Sequence, residues 1–449
     1  MTVFLSVGSP LSMKSESSLF NVIIPCKNRA NYLYHTLRTC IMQNYEPLEV
    51  IVSDDDSTDN TREVVEAASQ QDSRIRYVKP TSGFGMLNNF EYALQQVKPG
   101  FVMALGGDDG LLPDGIKGMW DVLRDTEMDL LAWPAPAYYY PNTRGISGQL
   151  CIYRDKGTKI IDSRQFLSQQ VKNLRYSSDR ESPMFYVKGV ANTKLVEKVR
   201  QRSPNGQFYS CPTPDGYSGI VLAGEVTSYA FSGKPFSIFG VSPASHGLTY
   251  LSNDDEDKKI AEKFFESVSS RPMHRELASQ PYSPLITLMT VDYLLTAKDL
   301  PGWGGKFPSI DYRQVLLKGL NELSFGLYGE DRIVRELGIL YQIAVKHGLG
   351  EFFRKKARRS NRYVQRLPFT GNGIGYGNNT FGFYLDADPY HIHNIFDAAY
   401  AAQNICQVYS DLTTWKSFTS AIVRSLVYRL RAMRKGNPFP HEAEWLKTN

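Results

Sequence analysis

The chain of 449 residues has few of the features that indicate a disulfide scaffold, a zinc site or a membrane span. Its five cysteines are widely spaced and odd in number, and no two form a Cys-x-x-Cys pair. A disulfide framework and a zinc site are therefore disfavoured. Thiols kept reduced in the cytoplasm are the simplest interpretation, and cytoplasmic localisation is expected. No window approaches about 18 uninterrupted apolar residues, so no transmembrane helix is expected.

Strong charge and the common phosphate-binding loops are also missing. The formal net charge of +5 is too small to indicate a nucleic-acid partner, and none is predicted. No Gly-x-Gly-x-x-Gly follows the first predicted strand, and no Gly-x₄-Gly-Lys-Ser/Thr loop occurs in the chain. These absences exclude a dinucleotide or P-loop site of the usual kind. The alternating glycines of residues 371–377 fall in a region that otherwise predicts helices, so we assign them no phosphate.

The order of the patterns divides the chain into three parts. Residues 1–19 are Ser-rich without the pattern of a signal peptide, and they are predicted to be a flexible tail. Residues 20–250 alternate strand and helix signals, which predicts an α/β domain with a mostly parallel sheet. An acidic run follows, and residues 251–449 are predicted to be a mainly α-helical region.

Two stretches of the first domain are harder to interpret. Residues 138–182 are polar and irregular in pattern, so no element is assigned there. Residues 183–187 are predicted to be a strand, and a helix is expected near Thr193 to Arg200.

Polar loops follow the predicted strands at their carboxyl ends. The first strand ends in residues 26–29, the second in Asp54-Asp55-Asp56, and the fourth in Asp108-Asp109. Such ends share one edge of a parallel sheet, so these side chains are expected to line one crevice. Adjacent carboxylates there suit a hard divalent cation that bridges to substrate phosphates. Taken alone, the aspartates could equally form turns or cap the next helix.

Three motifs carry a resemblance to a known family. They are Val-Ile-Ile-Pro-Cys-Lys-Asn-Arg at 22–29, Val-Ser-Asp-Asp-Asp-Ser-Thr-Asp at 52–59, and Gly-Asp-Asp at 107–109 followed by Pro113-Asp114. In order and spacing they resemble family 2 glycosyltransferases of the GT-A fold, over roughly residues 20–250. The resemblance implies a metal-dependent, inverting transfer of sugar from a nucleotide sugar, usually a UDP- or dTDP-sugar, to an acceptor hydroxyl in glycan or polysaccharide synthesis.

The resemblance also implies a role for individual residues of the nucleoside site. The segment containing Pro25, Cys26 and Asn28 would contact the nucleoside. Asp55 would accept a hydrogen bond from the base, and Asp54 would be structural or supporting. The sequence has Asp56 where glycine or asparagine is usual, a departure that removes no proposed ligand.

Three further residues would serve the diphosphate and its metal. The resemblance implies that Asp108 touches the ribose or the metal and that Asp109 holds Mn²⁺ or Mg²⁺ against the diphosphate. His246 follows the last predicted strand of the domain, where some GT-A enzymes supply a further metal ligand. A surface or capping role is the alternative for this histidine.

The acceptor hydroxyl needs a carboxylate as general base. Asp215 stands about where the family carries its catalytic carboxylate, although Pro214 occupies a position where glutamate or glutamine is more usual. Asp215 could also be the N-cap of a short helix. Glu225 and Asp179 are the lesser alternatives for the base.

The acceptor would be a glycan, a lipid-linked molecule or a small molecule. The helical region could form the interface of a homodimer. Basic residues are concentrated at 354–362 and 415–435. They either form solvated helix faces or dock the enzyme on the anionic inner membrane surface. Binding of the intact protein to anionic liposomes at low salt would distinguish the two. The alternative functions are a sugar nucleotidyltransferase, detectable by pyrophosphate release, and a non-catalytic sugar-binding protein on the same scaffold.

Overall fold

A computed structural model describes residues 18–81, 83–141, 148–153, 155, 157–245, 249–250, 255–324, 328–359, 373–377 and 380–408. The predicted fold class is confirmed, because a mixed sheet with a parallel core and flanking helices is followed by a mainly helical region. None of the helices in these ranges combines the length and apolar character needed to cross a bilayer.

The strands alternate with helices through the first half of the chain. The strands are β1 Phe20–Cys26, β2 Leu48–Asp54, β3 Ile75–Val78, β4 Phe101–Ala104, β5 Gly110–Leu111, β6 Leu130–Ala132, β7 Ala137–Tyr139, β8 Gln149–Ile152, β9 Thr158–Asp162, β10 Gly189–Asn192, β11 Ser228–Ser232, β12 Ser237–Val241, β13 Gly373–Gly377 and β14 Thr380–Asp386. The helices are α1 Ala30–Ile41, α2 Thr61–Gln71, α3 Met86–Gln95, α4 Gly115–Thr126, α5 Ser163–Asn173, α6 Thr193–Arg202, α7 Asp215–Gly224, α8 Asp255–Ser267, α9 Ile286–Lys298, α10 Tyr312–Leu323, α11 Glu330–Lys346, α12 Gly350–Arg359 and α13 Ile395–Val408.

Strand β1 forms the centre of the larger sheet because it is apolar on both faces. Val22 and Ile24 pack into one hydrophobic cluster, and Ile23 packs into another on the opposite face. Successive side chains of a strand point to opposite faces, so such a strand needs helices on both sides. The sheet runs in the order β3-β2-β1-β4-β10-β6-β11-β9, and its first four strands are parallel.

The register of these parallel strands brings their polar loops together. Cys26 pairs with Asp54, so β1 and β2 end side by side. The neighbouring strands β3 and β4 run in the same direction. The loops after all four strands therefore lie along one edge, as the sequence predicts.

The structure corrects the predictions for residues 138–187. The stretch interpreted as irregular contains β8, β9, α5 and most of β7. Strands β7 and β8 pair with each other, but β9 pairs with β11 and β8 also pairs with β14, and a local pattern does not reveal these two distant pairings. The strand predicted at residues 183–187 is instead placed at β10, because Val187 takes a left-handed conformation with φ 64° and turns the chain first.

A smaller sheet closes one side of the crevice with strands from both halves of the chain. Its order is β13-β14-β8-β7-β12-β5. The glycine-rich segment expected in a helical region forms strand β13, whose partner is β14. Helix α13 packs against α1, β5, β8 and β12, so the last described residues cover the first ones.

The helical region shares a hydrophobic core with the α/β domain. Helix α9 packs on α7, and one buried cluster runs from Ile23 of β1 to Phe353 of α12. Glu322 holds the start of α9 by accepting the backbone N–H groups of Ile286 and Thr287 at 2.7 and 3.0 Å. The domain boundary at residue 250 stays a prediction, and apolar packing continues across it.

Candidate active site

The Asp-rich loop after β2 is held by short hydrogen bonds to its neighbours. Asp55 is buried, and its two carboxylate oxygens accept the backbone N–H groups of Phe84 and Gly85 at 2.5 and 3.1 Å. The Nζ atom of Lys27 lies 3.6 Å from the same carboxylate. Because a carboxylate can accept about four hydrogen bonds, capacity remains for a donor such as a base N–H. The predicted contact of Asp55 with the base is untested and compatible with this geometry.

Asp54 fits a supporting role. Its carboxylate accepts the backbone N–H of Ser57 at 3.0 Å and the hydroxyl of Tyr77 at 2.8 Å. Both contacts fix the loop rather than leave the carboxylate free for a ligand. Asp56, the departure from the family pattern, has φ 62° and forms an exposed ion pair with Lys79 at 2.7 Å.

The loop after β1 is tied to this Asp-rich loop. The side chain of Asn28, with φ 51°, accepts the backbone N–H of Thr58 at 2.8 Å, and its own N–H donates to Ser57. Pro25 and Cys26 are buried in β1, and burial raises the pKa of the Cys26 thiol far above its usual value. The carbonyl of Cys26 accepts the N–H of Asp55 at 2.9 Å, whereas Asn28 is exposed, and the predicted contacts of all three with the nucleoside stay predictions.

Asp59 joins the same arrangement by capping two helices. One of its carboxylate oxygens accepts the N–H of Ala30 at 3.0 Å, and the other accepts the N–H of Thr61 at 3.1 Å. The two loops therefore share one anchor at the N-termini of α1 and α2. Negative charge at helix N-termini is favourable, which strengthens that anchor.

The two carboxylates after β4 occupy different environments. Asp109 is fully buried, and its oxygens accept the backbone N–H groups of Gly106 and Gly240 at 2.7 and 2.8 Å. Burial, and then the charge of Asp108, raise the pKa of Asp109 well above its usual range. Such a group supports the turn. Both of its carboxylate oxygens are engaged by backbone N–H groups.

Asp108 is the more accessible carboxylate of the pair. Its Oδ2 atom accepts the hydroxyls of Ser242 and Ser245 at 2.6 and 3.1 Å. Its Oδ1 atom has no hydrogen-bond partner in the described part of the chain. Asp108 therefore keeps one carboxylate oxygen open to a ligand, and the metal role predicted for Asp109 stays a prediction.

The fit to a divalent cation rests on this one carboxylate. Among the residues that the structure describes, no group of three or more His, Cys, Asp or Glu side chains surrounds a common point. His246, the other predicted metal ligand, lies outside the described residues, directly after Ser245 in the chain. A hard cation bound through one or two carboxylates and completed by substrate phosphates fits such a donor set.

Gly240 allows the strand β12 to approach the Asp108–Asp109 turn. A Cβ atom on Gly240 would overlap the backbone carbonyl of Asp108. The close approach places the N–H of Gly240 on the carboxylate of Asp109. A side chain at this position therefore conflicts with the geometry of the turn.

We expect Gly240→Ala to lower the free energy of unfolding by about 3 kcal/mol or more, because backbone must move to admit the methyl group. Chemical denaturation measures the change. Gly304→Ala is the matched control, since a Cβ there meets nothing within 4 Å and should leave stability near wild type. A Gly240→Ala protein that unfolds at the wild-type denaturant concentration would contradict the close packing.

Asp215 begins helix α7 at its first position, and Pro214 is the N-cap residue, which has no capping side-chain hydrogen bond. The Asp215 carboxylate is partly buried, and burial raises its pKa to about 6. After burial, its charge contributes to raising the pKa of the tyrosines around it: Tyr176, Tyr186, Tyr209, Tyr250, Tyr282 and Tyr293. Asp215 therefore lies in an aromatic, weakly solvated environment suited to a general base near neutral pH.

Tyr186 connects this base candidate with the paired carboxylates. Its hydroxyl and the Asp109 carboxylate lie on the same side of Gly106, and burial followed by the charges of Asp109, Asp108 and Asp215 raises the pKa of that hydroxyl. Its ring packs between Phe90 and Phe239, with centroid distances of 6.2 and 6.1 Å. The neighbouring Phe185 donates its N–H at 3.0 Å to Ser218 of α7, whose hydroxyl donates to the backbone carbonyl of Asp215 at 2.6 Å, so the same segment contacts the start of α7.

Glu91 fixes the loop that precedes Asp215. It is buried on α3 and accepts the backbone N–H groups of Phe208 and Tyr209 at 3.0 and 3.2 Å. Arg200 neutralises it at 2.9 Å. Sequence reasoning missed both Glu91 and Tyr186, since neither belongs to a motif and each acts on residues far along the chain.

The two lesser candidates for the base have structural partners. Glu225 accepts a hydrogen bond from Trp303 at 3.3 Å and pairs with Arg202 at 2.9 Å. The carboxylate of Asp179 accepts hydrogen bonds from the side-chain amide of Gln170 and from the backbone N–H of Glu181. Its backbone carbonyl accepts a hydrogen bond from the ammonium group of Lys188. These contacts give both carboxylates a structural role, and the assignment of Asp215 as the base stays a prediction.

The sequence pattern of a known family covers this part of the molecule. The model described as Glycosyl transferase family 2 matches residues 21–175, which include the loops after β1, β2 and β4. The matched segment is a family 2 glycosyltransferase domain. The resemblance inferred from the three motifs is thereby confirmed, while Asp215 lies beyond the matched residues.

Curated relatives of the glycosyltransferase domain align over short segments. Glycosyltransferase GlyG of Streptococcus pneumoniae is 25% identical over 115 residues, which is 26% of this chain and 38% of the relative. The GalNAc(5)-diNAcBac-PP-undecaprenol beta-1,3-glucosyltransferase of Campylobacter jejuni is 37% identical over 93 residues, or 20% of this chain and 30% of the relative. The chain thus spans about a third of the length of the curated relatives it matches.

Among solved structures, residues 1–349 of S. aureus TarS in complex with UDP-GlcNAc resemble the chain at 14% identity. The TM-score is 0.45, and the match covers 81% of this chain and 96% of the TarS chain.

Proposed function

We propose that the protein is a metal-dependent, inverting glycosyltransferase that uses a nucleotide sugar, with a UDP-sugar as the first candidate donor. The observation that carries the proposal is that the segment of Phe185 and Tyr186 contacts both parts of the crevice. The Tyr186 hydroxyl and the Asp109 carboxylate crowd the same side of Gly106, and the N–H of Phe185 donates at 3.0 Å to Ser218, whose hydroxyl donates to the backbone carbonyl of Asp215 at 2.6 Å. A donor whose diphosphate lies at Asp108 would therefore place its sugar near Asp215. The match of residues 21–175 to family 2 supports the same reaction class.

The chemistry assigned to Asp215 is proton removal. Its carboxylate takes the proton of the acceptor hydroxyl as the acceptor oxygen forms a bond to the anomeric carbon. The bond from that carbon to the diphosphate oxygen breaks, and the electron pair leaves with the diphosphate. Because one carboxylate serves as base and no second nucleophile is assigned, the sugar carbon is attacked once and its configuration inverts.

Asp108 would hold Mn²⁺ or Mg²⁺ through its Oδ1 atom, completed by phosphate oxygens and water. When bound, such a cation stabilises the negative charge of the departing diphosphate. Ser242 and Ser245 orient the carboxylate by donating to its other oxygen. Asp109 and Gly240 keep the turn in the required position.

Titration calorimetry with UDP, dTDP and GDP tests the proposal. We expect saturable binding of at least one of them, tighter with Mn²⁺ than with EDTA. Pyrophosphate release from a nucleoside triphosphate and sugar would indicate the nucleotidyltransferase instead. The proposal is abandoned if none of the three nucleotides binds in the presence of metal.

A glycan or lipid-linked acceptor is the class that we propose for the second substrate. The Campylobacter relative is named for an undecaprenol-linked substrate, which makes a lipid-linked acceptor a reasonable first choice. Helix α12 exposes Lys355 and Lys356, while Phe353 and Ala357 on its apolar face pack in the hydrophobic core of the protein. The segment 415–435 lies outside the described residues. Membrane docking and a homodimer stay predictions.

A further inference from the structure

Arg29 lies directly over the turn that ends at Asp108. Were a Cβ present on Gly107, it would lie 3.1 Å from the Cβ of Arg29 and 3.4 Å from its Cγ. The guanidinium reaches across to the loop after β12, where Nη2 donates to the carbonyl of Ala244 at 2.6 Å. Arg29 therefore touches the β1, β4 and β12 loops that surround the proposed diphosphate position.

The positive charge of Arg29 is held in place but not neutralised. Its Nη1 atom donates to the carbonyls of Asn28 and Lys27 at 3.2 and 3.4 Å. All three acceptors are neutral backbone groups, and Arg29 forms no ion pair within the described ranges. By contrast, Lys27 and Lys79 each face a carboxylate.

The unused donors of Arg29 suit a phosphate. A guanidinium carries five N–H groups in a rigid fork, and the recorded contacts involve Nη1 and Nη2 only. The Nε–H and one N–H of Nη2 have no partner among the residues described. Arginine binds phosphate oxygens with two parallel hydrogen bonds. These bonds are strong because both the guanidinium and the phosphate are charged.

The charge balance of the crevice supplies the reason for such a residue. A diphosphate brings two or more negative charges, and Asp108 and Asp109 lie beside it. A cation held by Asp108 alone would leave part of this charge uncompensated. Tyr32 lies close enough to Asp108 and Arg29 for both to affect it. Burial and the charge of Asp108 raise the pKa of the Tyr32 hydroxyl, and the charge of Arg29 lowers it.

We propose that Arg29 is a diphosphate-binding residue of the donor site, acting beside the cation at Asp108. The inference rests on the proposed function, because it assumes a nucleoside diphosphate in this crevice. The alternative is that Arg29 only holds the loop at Ala244 in place. The two roles predict different effects of an Arg29 substitution on the affinity for a nucleoside, which has no phosphate groups.

The test compares UDP, dTDP and GDP with their nucleosides by calorimetry in Mn²⁺ and in EDTA. For the nucleotide that wild type binds, Arg29→Gln should weaken affinity by about 10- to 100-fold. Affinity for the matching nucleoside should stay within about twofold, because the nucleoside lacks the group that the charge recognises. Arg29→Lys should restore part of the difference by keeping the charge.

Arg62→Gln is the control, since Arg62 is an exposed arginine of α2 paired with Glu66 at 2.6 Å, and it should change neither affinity. Equal loss of nucleotide and nucleoside affinity in Arg29→Gln would show that Arg29 only positions the loop and would overturn the inference. Unchanged nucleotide affinity would overturn it as well. In both cases the wild-type protein still binds nucleotide, so the proposed function stands. If the wild-type protein binds none of the three nucleotides, both the proposed function and the role of Arg29 are abandoned.

Discussion

Asp215→Asn should lower kcat by about 10²- to 10⁴-fold, the usual contribution of a positioned general base. Asparagine has nearly the same shape, but its amide cannot take the proton of the acceptor hydroxyl. Affinity for the nucleotide should change by less than about twofold, because only the sugar and acceptor would approach Asp215. Steady-state kinetics for transfer and calorimetry for donor binding measure the two effects.

The pH dependence of the wild-type enzyme should report the same group. Since burial raises the pKa of Asp215 to about 6, the carboxylate is ionised and active above that pH. It becomes protonated and inactive as the pH falls through 6. Wild-type kcat/KM should therefore decline on the acid side near this value, and the residual activity of Asp215→Asn should lack that decline.

Glu225→Gln and Asp179→Asn serve as controls for the base. Both carboxylates have structural partners, so their loss should lower the melting temperature and leave kcat of the folded enzyme near wild type. Full activity in Asp215→Asn would refute the assignment of the base. Loss of turnover in one of the control variants, with its fold intact, would transfer the role to that residue.

Asp108→Asn should remove most of the Mn²⁺-dependent part of nucleotide affinity and most of the transfer activity. The amide that replaces the carboxylate is a much weaker ligand for a hard cation. Stability should change little, because Oδ1 has no partner within the described chain and Oδ2 faces two hydroxyls. Calorimetry with and without EDTA, together with thermal unfolding, measures both quantities.

Asp109→Asn should give the opposite pattern. Its two oxygens accept Gly106 and Gly240, and an amide offers one acceptor in place of two. A buried N–H left without an acceptor costs about 1–3 kcal/mol, so the melting temperature should fall. Metal-dependent binding by the folded fraction should persist. If Asp109→Asn stays stable and loses the metal effect, the assignment drawn first from the family resemblance is the correct one.

Local patterns were sufficient for most of the fold and for the position of the crevice. Strand β1 is buried on both faces and ends in a polar loop, and both facts can be read from consecutive residues. The pairing of β8 with β14 could not be predicted, because the two strands lie more than two hundred residues apart in the chain. The same limit applies to β13, where alternating glycines have no helical or strand signal of their own.

Within the site, too, local motifs indicated some residues, and contacts between distant parts of the chain could not be predicted. Asp55 and Asp215 could be selected from motif and spacing, and their roles stay predictions. The different environments of Asp108 and Asp109 could not be predicted, because Asp109 is buried by a contact with Gly240, 131 positions further along. Glu91 acts on Phe208 across 117 positions, and a lone glutamate in a helix gives no sign of it.

The pairing of β8 with β14 limits how the protein can be divided. The family match ends at residue 175, yet β8 inside it receives backbone hydrogen bonds from β14, and helix α13 covers Thr39 and Gly110 through Ile395. A fragment cut at residue 175 would expose the edge of β8 and the apolar surface beneath α13. Open strand edges promote aggregation. The segment that matches the family and the end of the described chain must therefore be expressed together to keep both surfaces covered.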